Sequence, residues 1–129
     1  MRGEGRRRRE YAPAVTPYEL EVRELSVGGV AVVELAGELD LTNAGEVERE
    51  LVASVYDDTL ILDLNGVAFI DSAALHMLFR VARQIGDPQR FAIVLEPMAP
   101  IARTLEIVGL DGVATFRATT EELVEGAPS

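Results

Sequence analysis

The sequence has no cysteine, no lysine and only one histidine. Without cysteine there can be no disulfides, no thiolate catalysis and no Cys-ligated metals. Its uninterrupted apolar runs are only a few residues long, so no transmembrane helix is expected. The N-terminus lacks the apolar centre of a signal peptide, and the expected compartment is the cytoplasm. No glycine-rich phosphate loop is present, because Gly28-Gly29 is too short and falls between two strand-like runs. No group of His and carboxylates has metal-ligand spacing, and nothing in the chain implies a cofactor.

What is present fits one domain. The chain has 129 residues, of which 48% are hydrophobic, enough for a core. All twelve basic residues are arginine, set against 22 acidic ones, for a net charge of −10. Five of the arginines (Arg2 and Arg6 to Arg9) lie in the first ten residues with Glu4 and Glu10, a local charge of +3. Residues 11–129 therefore carry −13. So acidic a domain repels nucleic acid, and no direct nucleic-acid or membrane partner is expected. Residues 1–16 lack periodicity and read as a disordered Arg-rich tail, ahead of a domain over 17–126 and a short disordered end at 127–129.

Along the domain, Tyr18, Leu20 and Val22 alternate with Glu19, Glu21 and Arg23, which predicts a half-buried strand. Gly28-Gly29 then predicts a hairpin into Val30–Leu35, a strand closed by Gly37-Glu38-Leu39-Asp40. Asn43 with Glu46 fits a helix-opening pattern, and Ala44, Val47, Leu51 and Val55 share one face of about three turns. Asp57-Asp58 turn into Thr59–Leu64, whose apolar run suits a central parallel strand buried on both faces. A helix is predicted over 72–85, stopped by Gly86-Asp87-Pro88, with Ala74, Leu75, Leu78, Val81, Ala82 and Ile85 facing the core and Met77 on an edge. Phe91–Leu95 is a second buried strand. Ile101, Leu105 and Val108 mark a helix ending at Gly109, Val113–Phe116 a short strand, and Thr119 with Glu122 a last helix ending near Gly126. The order implies an α/β domain: a mixed sheet of four to five strands, a leading hairpin and about four helices. Asp40 and Ser72 both follow strand ends, so they are expected on one rim.

Ser72 opens the central helix at a preferred capping position, on the edge of the wet face, with apolar side chains beside it. Its hydroxyl can be an inert cap, a nucleophile or a phosphate acceptor. Catalysis lacks partners: His76 lies a turn away on the wet face, and no orienting third group or oxyanion site accompanies it. Asp63, ending a buried strand, resembles the phosphoacceptor of receiver domains. That chemistry needs a lysine and an acid pair after the first strand, and both are missing. A phosphate on Ser72 would be tolerated by the helix N-terminus while repelling an acidic or apolar partner.

Three segments resemble the STAS domain family, and within it the bacterial anti-sigma factor antagonists, over residues 18–125. They are Gly37-Glu38-Leu39-Asp40 with Asn43-Ala44, then Leu60–Leu64 with Phe69-Ile70-Asp71-Ser72-Ala73-Ala74-Leu75, and last Ile101, Leu105 and Gly109-Leu110. The resemblance implies a non-enzymatic switch. Its unphosphorylated form binds an anti-sigma factor that is also an ATP-dependent serine kinase, and so releases a sigma factor. Phosphorylation at Ser72 would end binding, and a phosphatase would restore it. Asp40, Asn43, Asp71, Ser72, Ala73, Leu75 and His76 would form the partner surface of a monomer or weak dimer. Ala73 and Ala74 depart from the Ser or Thr and the Gly of many members, which leaves Ser72 as the one hydroxyl of the motif. The alternatives are a constitutive scaffold subunit of a stress-signalling or lipid-transport complex, with Ser72 only a helix cap, and a small hydrolase using Ser72.

Overall fold

Alternating polar and apolar residues build the first strand, β1 (Tyr18–Glu24), which runs antiparallel to β2 (Val30–Leu39). The computed structural model describes residues 15–24, 29–55 and 59–119. The hairpin residues before Gly29, the Asp57-Asp58 turn, the Arg-rich segment and the helix expected after Thr119 lie outside them. The chain continues through α1 (Ala44–Ser54), β3 (Thr59–Ile70), α2 (Ser72–Ile85), β4 (Phe91–Val94), α3 (Ala102–Ile107) and β5 (Thr115–Arg117). Single 3-10 turns at Pro88–Arg90 and Leu110–Gly112 precede β4 and β5.

The five strands lie in chain order, β1-β2-β3-β4-β5, and every pair after the first is parallel. The mixed sheet and leading antiparallel pair agree with the expected fold class, with three α-helices among the described residues. Because strand order never reverses, the sheet has no crevice of the doubly wound kind. Buried residues of all three helices join one cluster with Val33, Leu35, Leu60, Leu62 and Ile93. Val32, Ile61, Ala92 and Val94, of the opposite parity, form a small second cluster on the other face. The central apolar run is thus buried on both faces, as expected of a parallel strand. No helix among the described residues is long and apolar enough to cross a membrane.

Several boundaries move. Strand β3 runs to Ile70 rather than stopping at Leu64, because the register slips past Glu34 and again past Gly37 and pairing resumes. Gly66 makes this possible: a Cβ there would stand 2.8 Å from the Ala36 Cβ. In α2 the buried stripe includes Met77, and Leu75 is only half-buried. The stripe is centred on Ala74, Met77/Leu78 and Val81, which rotates Leu75 toward the rim. Val108 is exposed, because left-handed Gly109 (φ 82°) turns the chain and sends Leu110 into the core instead. β5 starts two residues later than expected, since the 3-10 turn consumes the residues before it.

Tyr18 joins β1 to α1 by donating to Glu50 Oε2 at 2.9 Å and Glu46 Oε1 at 3.3 Å. Burial, followed by the hydrogen bonds and charges of these carboxylates, pushes its phenol up to about 12. The folded chain therefore keeps this proton after the unfolded chain, with its ordinary value near 10, has lost it. The contribution to stability is complete below about pH 10 and lost between about pH 10 and about pH 12. In a chain with Phe at positions 11 and 56, ultraviolet titration should show this one late phenolate. Tyr18→Phe should abolish it.

Candidate functional site

The site lies where β2 and β3 end side by side. Leu39 pairs with Ile70, so the residues that follow, Asp40 and Asp71, emerge at adjacent carboxyl ends of parallel strands. The Asp71 N–H donates to the Leu39 carbonyl at 3.1 Å. Asp40 and Ser72 accordingly share one rim.

Asp71 spans the two loops with its carboxylate. Oδ1 accepts the Ala74 N–H at 2.9 Å and so caps α2, while Oδ2 accepts the Leu41 N–H at 3.0 Å. The cap of α2 is therefore Asp71, in extended conformation (φ −102°, ψ −178°), and not Ser72. Ser72 is the first helical residue. Its side chain is exposed, and its hydroxyl makes no hydrogen bond among the described residues, His76 included. An aspartate one residue earlier already meets the need that a capping serine would serve.

The β2–α1 loop is held by a second set of polar contacts. Asp40 Oδ1 accepts the Thr42 N–H at 2.9 Å and its hydroxyl at 2.7 Å, and Oδ2 accepts the Thr16 hydroxyl. The Thr16 and then the Thr42 hydroxyl hold the Asp40 carboxyl below the usual carboxylate range. Asn43 is fully buried. Its Oδ1 accepts the Asp40 N–H at 2.9 Å, and its Nδ2 donates to the carbonyls of Glu38 at 2.8 Å and Thr16 at 2.9 Å. It makes no capping bond to α1, contrary to the pattern expected with Glu46. With no exposed surface, Asn43 contributes to a partner surface only by fixing the loop.

The exposed parts of the rim are Ser72 and His76, with Ala73 and Leu75 half-buried beside them. Leu41 is 76% exposed and Phe69 50%. A hydroxyl without a partner among the described residues thus stands on a rim with exposed apolar side chains, which suits docking rather than catalysis. Sequence reasoning missed Leu41, Thr16 and Thr42. Asp40-Leu41-Thr42 carries an Asx-turn signal that accounts for Thr42 and for the outward turn of Leu41. Thr16 has no local signal, because its partners lie 24 to 27 residues away. Among the described residues no three His, Asp or Glu are grouped to hold a metal. A groove of about 650 Å³ lies between the end of β4, α3 and β5, and none of these residues lines it.

The profile of the STAS domain matches residues 23–123. The chain belongs to the STAS domain family. Within that family it is similar to the anti-sigma-F factor antagonist RsfB of Mycobacterium tuberculosis, at 29% identity over 112 residues, 85% of this chain and 91% of RsfB. Its structure is similar to that of an anti-sigma factor antagonist from Mycobacterium paratuberculosis, with TM-score 0.74 and 26% identity, covering 89% of this STAS domain chain and 97% of the other. The phosphorylated form of the Bacillus cell fate determinant SpoIIAA shares the fold, with TM-score 0.59 at 20% identity, over 85% of this chain and all of that one.

Proposed function

We propose that this STAS domain is an anti-sigma factor antagonist, a non-enzymatic protein switch controlled at Ser72. Unphosphorylated, it binds an anti-sigma factor that is also a serine kinase, and a sigma factor is released. Phosphorylation of Ser72 ends binding, and a phosphatase restores it. Binding falls to the rim of Asp71, Ser72, Ala73, Leu75 and His76, with Leu41 beside them and Asp40 and Asn43 holding the loop.

One observation carries the reading: Asp71 caps α2, and the Ser72 hydroxyl is exposed and makes no hydrogen bond among the described residues. A serine kept as a cap would accept a first-turn N–H of the helix with its hydroxyl oxygen. Here Asp71 fills that role, which supports a hydroxyl left accessible to a kinase. The scaffold alternative, which treats Ser72 as a cap, loses its structural support. The similarity to RsfB supplies the class of partner. SpoIIAA, solved in its phosphorylated form, is a domain of this fold that carries phosphate.

Incubation with the cognate anti-sigma factor and ATP should add one phosphate, located on Ser72 by mass spectrometry, and Ser72→Ala should take up none. Phosphate at another residue, or undiminished labelling of Ser72→Ala, would refute the assignment.

A further inference from the structure

We infer that phosphate on Ser72 is held by His76, whose imidazole stands one turn along the same helix. The inference rests on the reading of Ser72 as a phosphoacceptor and concerns what then balances the phosphate charge.

Helix geometry brings the two side chains together. Ser72 is the first residue of α2 and His76 the fifth, a spacing that sets them about 40° apart around the axis and about 6 Å along it. Residues at this spacing are neighbours, with Cβ atoms about 5–6 Å apart. Cα–Cβ bonds tilt toward a helix N-terminus, so the imidazole leans back over the preceding turn, toward Ser72. Both residues are exposed, and neither side chain makes a hydrogen bond or ion pair among the described residues. A phosphoryl group on the Ser72 hydroxyl would fill the gap between them, with an oxygen within reach of an imidazole N–H.

The other charged groups near the pair are already engaged. The carboxylate of Asp71 accepts the Ala74 and Leu41 N–H groups, and that of Asp40 accepts three hydrogen bonds. Arg80, the next cation along α2, lies about 12 Å from Ser72 along the axis. It is committed to Glu48 of α1, with Nη2 at 2.8 Å and Nε at 3.1 Å from Oε1. Arg49 of α1 lies over its own helix, with Nη1 3.7 Å from where a Cβ on Gly45 would stand.

A phosphate adds about −1.5 to −2 charges and three acceptor oxygens to a rim that already holds two carboxylates. The first-turn N–H groups offer partial charge only, and that of Ala74 is taken by Asp71. A protonated imidazole offers a full charge and a ring N–H donor where the helix brings it to the phosphate. Histidine and phosphoserine both change charge near neutral pH. The pair is therefore strongest where the phosphate has lost its second proton and the ring has kept its own. Held in this way, the phosphate lies along the outer face of α2. A partner returning to the rim would have to strip water from an ion pair as well as meet the charge.

Phosphoserine installed at position 72 of the full chain during translation makes the test independent of any kinase. Phosphorus NMR follows the second ionisation of the phosphate in the natural chain and in His76→Gln, His76→Lys and Arg49→Gln. The natural chain should titrate about half a pH unit or more below His76→Gln at low salt, about a threefold shift in the ionisation equilibrium. His76→Lys, which keeps a cation at the same position, should restore the lowering, and Arg49→Gln should leave it in place. The difference between the natural chain and His76→Gln should shrink near 1 M salt and vanish in urea, where no helix sets the spacing. Equal midpoints for these two chains would overturn the proposal, as would a difference that persists in the unfolded state. A raised midpoint in Arg49→Gln without one in His76→Gln would overturn it as well, in favour of α1. Failure of the kinase assay leaves this measurement untouched, so the two readings fail separately.

Discussion

Replacing Asn43 with alanine is expected to cost about 3 to 5 kcal/mol of stability, a large share of the 5–15 kcal/mol typical of a domain. The amide is fully buried and makes three hydrogen bonds, one accepted and two donated. Each is worth about 1 kcal/mol net, but truncation also strands the Asp40 N–H and the Glu38 and Thr16 carbonyls, at about 1–3 kcal/mol for each that water cannot reach. Thermal unfolding should fall by roughly 10–20 °C. Asn43→Asp separates the donors from the acceptor. It keeps an oxygen for the Asp40 N–H but turns a carboxylate toward two carbonyls, so it should be no better than alanine. An Asn43→Ala chain within about 1 kcal/mol of the natural one would mean that the loop is held by the Asp40 and Thr42 contacts alone.

The same residue shows where sequence reasoning reaches its limit. Asn43 before an amphipathic run reads as a helix cap, and position alone supports that. Its partners are Thr16, 27 residues earlier, Glu38 at the end of β2 and Asp40 of its own loop, and pairing across the longest of these distances leaves no periodic trace. The strands were legible because alternation and apolar runs are imposed by the sheet itself. The extension of β3 through Asn65 and Gly66 was not, since both residues read as strand breakers and only the approach of Ala36 explains the glycine. The spacing of α2 located its buried stripe but not its centre, so Leu75 and Met77 exchanged roles. Asp71 and Ser72 are both good caps in adjacent positions. Only the backbone conformation of Asp71 and its bond to Ala74 distinguish them. The rim was legible in part: two strand ends placed Asp40 and Ser72 together, while Leu41 was hidden inside a motif that otherwise looked fully read.

Ser72→Asp should weaken binding to the cognate anti-sigma factor about 100-fold, or about 2.7 kcal/mol, and change stability by less than about 1 kcal/mol. The two numbers separate because the two states feel the charge differently. In the free domain the side chain is exposed, and the N-terminus of α2 favours an anion by a few tenths of a kcal/mol, which offsets repulsion from Asp71. In the proposed complex the same carboxylate would be desolvated at the rim, and an unpaired interfacial charge costs about 2–5 kcal/mol. Ser72→Ala removes no hydrogen bond made within the described residues, so it should keep both fold and binding while refusing phosphate. Calorimetric titration of the partner against the three chains, with thermal unfolding of each, gives both quantities. Unchanged affinity for Ser72→Asp would place the partner elsewhere on the domain. A loss of several kcal/mol in Ser72→Ala would show that the hydroxyl supports the fold, and the site would then be structural despite the cap at Asp71.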